Sequence, residues 1–210
     1  MGEILCTTIL ATAGKQLQDT GAVRWTQETL FGYLRDGQRE IAALKPDACA
    51  VTDTVTLVAG SKQVMPSGST GLVRPVRNLG ADGATPGAAI EMFDMATLQT
   101  LLPNWSTMTA GGAVLFVGYD KEDPDTFFTV PPQPATPHKI EAVYGVLPAD
   151  PASVGSAITV RDVYANALLD YVLYRAYGEE TETGSAGKSA AHYQAMAQVL
   201  GIRMATQTKG

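Results

Sequence analysis

The sequence predicts an α+β fold: a helical bundle of two N-terminal and two C-terminal helices, with an antiparallel β-sandwich or small barrel inserted between them. Punctuation is the first observation behind that expectation. Residues 51–150 hold 10 Gly and 10 Pro, whereas the rest of the 210-residue chain holds 11 Gly and 2 Pro. Proline breaks helices and glycine weakens them, so the middle cannot be mostly helical. Periodicity is the second: apolar residues recur at helical spacing in both ends, while the middle alternates or runs in short apolar stretches. Charge divides the chain in the same way. The middle has 5 basic and 10 acidic residues, the first fifty 5 and 6, and the last sixty 5 and 5. The expected domains are residues 1–50 with 155–210, helical, and 51–154, β-rich.

The first helix is expected over Glu3–Leu17, with Ile4, Leu5, Ile9 and Leu10 apolar, before a turn at Asp19-Thr20-Gly21. The second starts after Thr26, an N-cap, and carries Leu30, Phe31, Leu34, Ile41 and Leu44 to the stop at Lys45-Pro46-Asp47. Strands are expected at Thr54–Val58 and near Val64-Met65. A third at Gly71–Asn78 holds Arg74-Pro75, which suits an edge. After a loop at Leu79–Gly87, a short helix runs from Met95 to Leu102. Ala113–Tyr119 is the strongest strand, Asp120–Asp125 an acidic turn, and Phe127–Val130 a return strand stopped by Pro131-Pro132. One more strand covers Lys139–Leu147. Thr159-Val160-Arg161-Asp162 has the form of a capping box for a helix that runs to Tyr177, with Gly178 as its C-cap. The last helix covers Lys188–Leu200, with Ala190, Tyr193, Ala197 and Leu200 on one face, and stops at Gly201.

Composition narrows the functional classes. A net charge of −6 and a pI near 4.9 argue against a long nucleic-acid footprint, which needs clustered Lys and Arg. No apolar run approaches a membrane span. Ala11-Thr12-Ala13 mimics a leader cleavage site, but Glu3 stands where a basic segment belongs, so a cytosol-made protein is expected. Cys6 and Cys49 read as two buried free thiols, with a single bridge left open.

No motif points to chemistry. Gly187-Lys188-Ser189 resembles the end of a phosphate loop, yet Glu182 occupies the place of the first glycine and a helix, not a strand, precedes it. His138 and His192 have no metal-ligand spacing, and neither cysteine has a catalytic signature around it. The acidic turn Asp120–Asp125 lacks the alternating oxygen ligands and distal Glu of a calcium loop. No enzyme activity, cofactor or metal is expected.

The helix after Thr159 is the informative one. Its polar residues are few: Arg161, Asp162, Asn166, Asp170 and Arg175. Its apolar residues and four tyrosines spread around the circumference, so several sides should be buried, by its own domain or by another subunit. The stripe Asp162, Asn166 and Asp170 reads as a solvated face or a polar seam against another chain. The candidate protein interface is therefore Asp162, Asn166, Asp170, Tyr171, Tyr174 and Arg175, with Arg203 and Lys209 from the C-terminal tail.

The segments taken together carry a resemblance. They are Trp25-Thr-Gln-Glu-Thr-Leu30, Gly37-Gln-Arg-Glu-Ile41, Lys45-Pro-Asp47, Leu57-Val-Ala-Gly-Ser-Lys-Gln63 with Pro66, and Val73-Arg-Pro-Val-Arg-Asn78. Pro103-Asn-Trp105, Tyr119-Asp120, Asp123-Pro124, Phe127-Phe-Thr-Val-Pro-Pro132, Ala167-Leu-Leu-Asp-Tyr-Val-Leu-Tyr-Arg-Ala176 and His192-Tyr193 follow. In this order they resemble the head-to-tail adaptor, or neck, proteins of tailed bacteriophages, similar to the tail tubular protein A of short-tailed phages. The resemblance spans nearly the whole chain and rests on structural, not catalytic, residues. It implies a virion structural protein forming an oligomeric ring, a dodecamer, seated between the portal protein and a tail nozzle or tail-tube protein. DNA would pass through its channel without sequence-specific binding. It implies assembly in the bacterial host cytoplasm, with no membrane. Other readings are a different tail-completion or tail-tube component, or a β-sandwich module that binds a small ligand.

Overall fold

A computed structural model describes residues 3–179 and 185–202 and divides the chain into two compact units: residues 1–48 with 148–210, and residues 49–147. In chain order the elements are α1 (Cys6–Gln16), α2 (Gln27–Leu44), β1 (Ala50–Thr56), β2 (Gly60–Val64), β3 (Ser69–Asn78), β4 (Glu91–Asp94), α3 (Met95–Leu101), β5 (Phe116–Tyr119), β6 (Thr126–Gln133), β7 (Lys139–Val146), α4 (Ala165–Gly178) and α5 (Ser185–Val199). Among the described residues, five helices and two sheets make an α+β fold; the sheets do not close into a barrel.

In the helical unit, α4 packs on α1, α2 and α5, which accounts for its apolar circumference: Ala167, Leu168, Tyr171, Val172, Leu173 and Ala176 are all buried. Helix α2 begins as expected, with Thr26 accepting from Thr29 N–H, and buries Leu30, Phe31, Leu34 and Ile41. Leu44, at the end of its apolar stripe, is exposed. At Gly37 the two helices approach so closely that a Cβ would lie 2.9 Å from the Tyr171 ring. The neighbouring Gln38 is 1% exposed, and its Oε1 accepts from Thr159 N–H and Oγ1 and from Val160 N–H.

Three expectations here are corrected. Helix α1 starts at Cys6, not Glu3, because residues before it hydrogen-bond to the chain near 156–158: Ile158 N–H donates to Ile4 O, and Cys6 N–H to Ser156 O. The capping box at Thr159 does not form. Thr159 binds Gln38 and Asp162 binds the chain start, so a single 3-10 turn, Asp162–Tyr164, precedes α4. Gly178 lies inside α4, and Glu179 is the C-cap. At the other end of the unit, α5 stops at Gly201 as expected. Gly201 has φ +73°, with Ile202 N–H donating to Ala197 O and Gly201 N–H to Gln198 O, the pairing of a glycine-terminated helix. The buried face of α5 is Ser189, Met196, Ala197 and Leu200; Ala190 is exposed.

The β unit holds one three-stranded sheet, β1-β7-β3, and one four-stranded sheet, β2-β6-β5-β4. Val55, Leu72, Ile140 and Tyr144 of the first meet Val117, Tyr119 and Phe127 of the second in one apolar core. Strand β3, with its Pro75, is an edge, as expected. Other strands depart from the sequence reading. The pairing is not antiparallel throughout, because β4, unread in the sequence, runs parallel to β5 after a crossover through α3. Strand β5 starts at Phe116, not Ala113. The Asn78 carboxamide takes both backbone groups of Val114, accepting its N–H and donating to its carbonyl at 2.8 Å each, and so replaces a strand partner there. Strand β6 continues through Pro131-Pro132 to Gln133. At those residues carbonyls carry the bonding: Pro132 O accepts from Gly111 N–H, and the register against β2 is irregular, so the missing proline donors cost no ladder bond. Strand β1 lies at Ala50–Thr56 because the Gln63 carboxamide takes both backbone groups of Val58, ending the strand before it.

Candidate functional site

The candidate interface residues sit on the start and length of α4, and the fold gives most of their polar groups partners within the helical unit. Asp162 accepts from the backbone N–H of Glu3 at 2.9 Å and of Ile4 at 3.2 Å, and these bonds hold its carboxyl below the usual range. Its side chain thus ties the start of the chain to the start of α4. Asn166, one turn on, is exposed. Asp170 accepts from His192 Nδ1 at 2.9 Å, which joins α4 to α5. The His192 ring stacks on Tyr177, with 5.6 Å between centroids and 9° between planes.

Tyr171, Tyr174 and Tyr193 form an aromatic run. Tyr171 and Tyr174 meet edge-on at 5.7 Å, and Tyr174 tilts against Tyr193 at 5.0 Å. Tyr171 is buried and Tyr174 half-buried. Arg175 donates to Asp36 and to the Tyr171 hydroxyl at 3.3 Å each, and its guanidinium lies 5.0 Å from the Tyr33 ring centroid. Burial, with a hydrogen bond to Glu179 second, pushes the Tyr33 phenol up to about 12. Asp36 also pairs with Arg39, which reaches Asp150. The chain of charges therefore runs Arg175, Asp36, Arg39, Asp150. Arg203 and Lys209 lie outside the described residues.

The sequence reading missed Asp36, Arg39 and Asp150 in this network, as well as Gln38. Each looks like an ordinary polar residue on a helix or loop; beyond the local Asp36–Arg39 pair, their partners come from distant segments. A fifth, Asp19, left a signal in its Asp-Thr-Gly turn. Its carboxylate accepts from Val23, Arg24 and Trp25 N–H, and those bonds lower its pKa. The loop so held leaves Val23 88% exposed beside a groove of about 350 Å³ lined by Leu10, Ala11, Lys15, Trp25 and Leu30. Val163, just before α4, is 65% exposed.

Residues singled out for chemistry take up structural contacts. Lys188 and Ser189 lie in α5, where Ser189 Oγ donates to Tyr174 O and the Lys188 ammonium sits 5.2 Å from the Tyr177 ring centroid. Cys6 and Cys49 are both free, the first buried and the second half-buried. Trp105 packs edge-on to Phe128. Among the described residues, no three His, Cys, Asp or Glu side chains converge to hold a metal, and no helix is long and apolar enough to cross a membrane.

The SU10 adaptor protein family matches residues 6–210, close to the full length of the chain. The chain belongs to the SU10 adaptor protein family. That membership makes it a phage head-tail adaptor, a structural component of the virion. Among curated proteins, none matches this SU10 adaptor. The α4 network described above is thus the internal frame of the adaptor's helical unit.

Proposed function

We propose that copies of this adaptor form a ring, a dodecamer, which joins the portal protein to the tail and extends the channel through which DNA leaves the head. One side of the ring meets the portal; the other meets a tail nozzle or tail-tube protein, in the manner of the tail tubular protein A of short-tailed phages. The protein acts as a scaffold, without enzyme activity or cofactor. The observation that carries this reading is the family match over residues 6–210.

Two physical features agree with it. A head-to-tail ring needs subunits that keep their shape while offering contacts to neighbours, and the Asp19 and Asp162 clamps hold the exposed Val23 and Val163 on constrained backbone. A channel that lets DNA slide needs little attraction for phosphate, and the middle of the chain is acidic. The exposed Asn166 and the half-buried Tyr174, with Arg203 and Lys209 of the tail, are the residues we assign to contacts between copies or with the portal.

Electron microscopy of the purified chain mixed with portal rings tests the reading directly. A ring seated coaxially on the portal is the expected result; a chain that stays apart from portal rings at all concentrations ends it. Truncation after Gly201 tests the tail: a loss of portal affinity is expected, and unchanged affinity removes Arg203 and Lys209 from the interface.

A further inference from the structure

Four strand edges face out of the two sheets: β1 and β3 in one, β2 and β4 in the other. An open edge is a template for another strand, and folded proteins guard it with proline, charge, bulges or shortness. Three of these edges are guarded in more than one way. Strand β3 has Pro75, Arg74, Arg77 and three register shifts against β7. Strand β2 has Lys62 and a register shift between Gly60 and Lys62. Strand β4 is four residues long and ends in Glu91 and Asp94. Strand β1 differs. It runs seven residues, Ala-Val-Thr-Asp-Thr-Val-Thr, in unbroken register with β7, without proline and with a single charge, Asp53.

The ladder shows which of its groups point outward. Leu57 N–H donates to His138 O, continuing the β1–β7 register, whereas Lys139 turns its N–H and C=O to Gly80 and Leu79 on the other side. In an antiparallel pair a residue's N–H and C=O point the same way, and the direction alternates along the strand. Val51, Asp53 and Val55 therefore bond to β7, and Thr52, Thr54 and Thr56 offer their backbone outward. These three threonines are exposed. The central outward donor, Thr54 N–H, lies 2.7 Å from Asp53 Oδ1, which accepts it.

The segment Val51-Thr52-Asp53-Thr54-Val55 reads the same in both directions. Two copies pairing antiparallel about Asp53 would set Thr52 opposite Thr54, both with outward backbone groups, and Val51 opposite Val55. They would also set Asp53 directly opposite Asp53, with like charges at the closest spacing in the sheet. The edge is thus complementary to itself in every respect but one. We infer that Asp53 is the gatekeeper of this edge: it occupies the central outward N–H and opposes its own charge, and so keeps β1 from pairing with β1 of a second copy. Assembly of the adaptor then proceeds through other surfaces.

The test uses the full chain carrying Asp53→Thr, an exposed substitution that preserves β propensity and should leave far-ultraviolet dichroism and the thermal midpoint unchanged. Light scattering at rising concentration should show at least a doubling of apparent mass relative to the unsubstituted chain, with an intermolecular β band in the infrared. Adding Thr54→Pro removes the central outward N–H at an edge position that tolerates proline, and should return the mass to that of the unsubstituted chain. An Asp53→Thr chain of unchanged mass would overturn the inference, as would association that persists with Thr54→Pro. Neither outcome depends on the portal or on ring formation.

Discussion

The two units are held together by different means. In the helical unit, single polar side chains join segments far apart in sequence: Gln38 to Thr159, Asp162 to Glu3, Asp36 to Arg175. In the β unit most long-range joints are backbone ladders, and side chains add single bonds, as Asn78 does at Val114, Gln63 at Val58 and the Tyr119 hydroxyl in accepting from Leu72 N–H. A ladder distributes its bonds over many residues, none of which a side-chain change other than to proline removes. A helix-to-helix joint concentrates them on one amide or carboxylate. The helical unit should therefore be the more sensitive to polar substitutions, and the β unit to losses in its apolar core.

The largest effects come from the cores and should stay within the unit touched. Phe127, 1% exposed, belongs to the core shared by the two sheets, and Phe127→Ala should cost about 4 kcal/mol. Leu168, buried in α4, should cost about 3 kcal/mol as Leu168→Ala. Hydrogen exchange read by mass spectrometry should place the first loss in residues 49–147 and the second in the helices. Equal loosening of both units by either substitution would break the comparison. Next is the α2–α4 contact. Gly37→Val forces atoms into the Tyr171 ring and should cost about 3 kcal/mol in urea unfolding, against a gain if the ring could simply turn away.

The buried amides sharpen the contrast. Gln38→Ala strands the Thr159 and Val160 donors and should cost about 2 kcal/mol, read as faster exchange at both amides. Asn78→Ala should cost a similar amount, about 2 kcal/mol, but its exchange signature should stop at the corner near Val114 instead of spreading through the sheet. The smallest effect is an acid one. Backbone N–H bonds from Ala84, with the Thr85 hydroxyl next, lower the Asp82 carboxyl to about 2. A depressed carboxylate contributes stability that is present above its unfolded pKa of about 4 and is lost as pH falls toward about 2. Asp82→Asn should flatten the acid limb of an unfolding curve in that window by lowering stability at neutral pH, and should leave stability near pH 2 nearly unchanged.

Helix signals are local, and much of the helical unit is legible in the sequence for that reason. Thr26 caps the helix it precedes, Pro46 follows its end, and Gly201 closes α5 through its own backbone. The misreadings there occur where a distant segment competes for a local group. Asp162 left its capping box for the N–H groups of Glu3 and Ile4, and Glu3 and Ile4 left the first helix with it. In the β unit the local signals were weaker guides. Strand β4 carries no alternation of its own and exists because β5 lies beside it, while Pro131 and Pro132 read as a stop although the strand could pass through them on its carbonyls. Of the candidate interface, residue types were readable, but their internal partners were not.

The sequence alone determined the α+β class, the helix limits at Thr26 and Gly201, the edge placement of Pro75, and the resemblance to head-to-tail adaptors that the family match bears out. These depend on spacing and composition within a few residues. The tertiary structure alone decided which carboxylates serve as clamps, which amides close the corners, where β4 pairs, and that Asp53 stands on the one long, regular open edge. Those outcomes turn on hydrogen-bond partners supplied by distant segments, and a backbone or side-chain donor has no assigned acceptor until the fold brings one within reach.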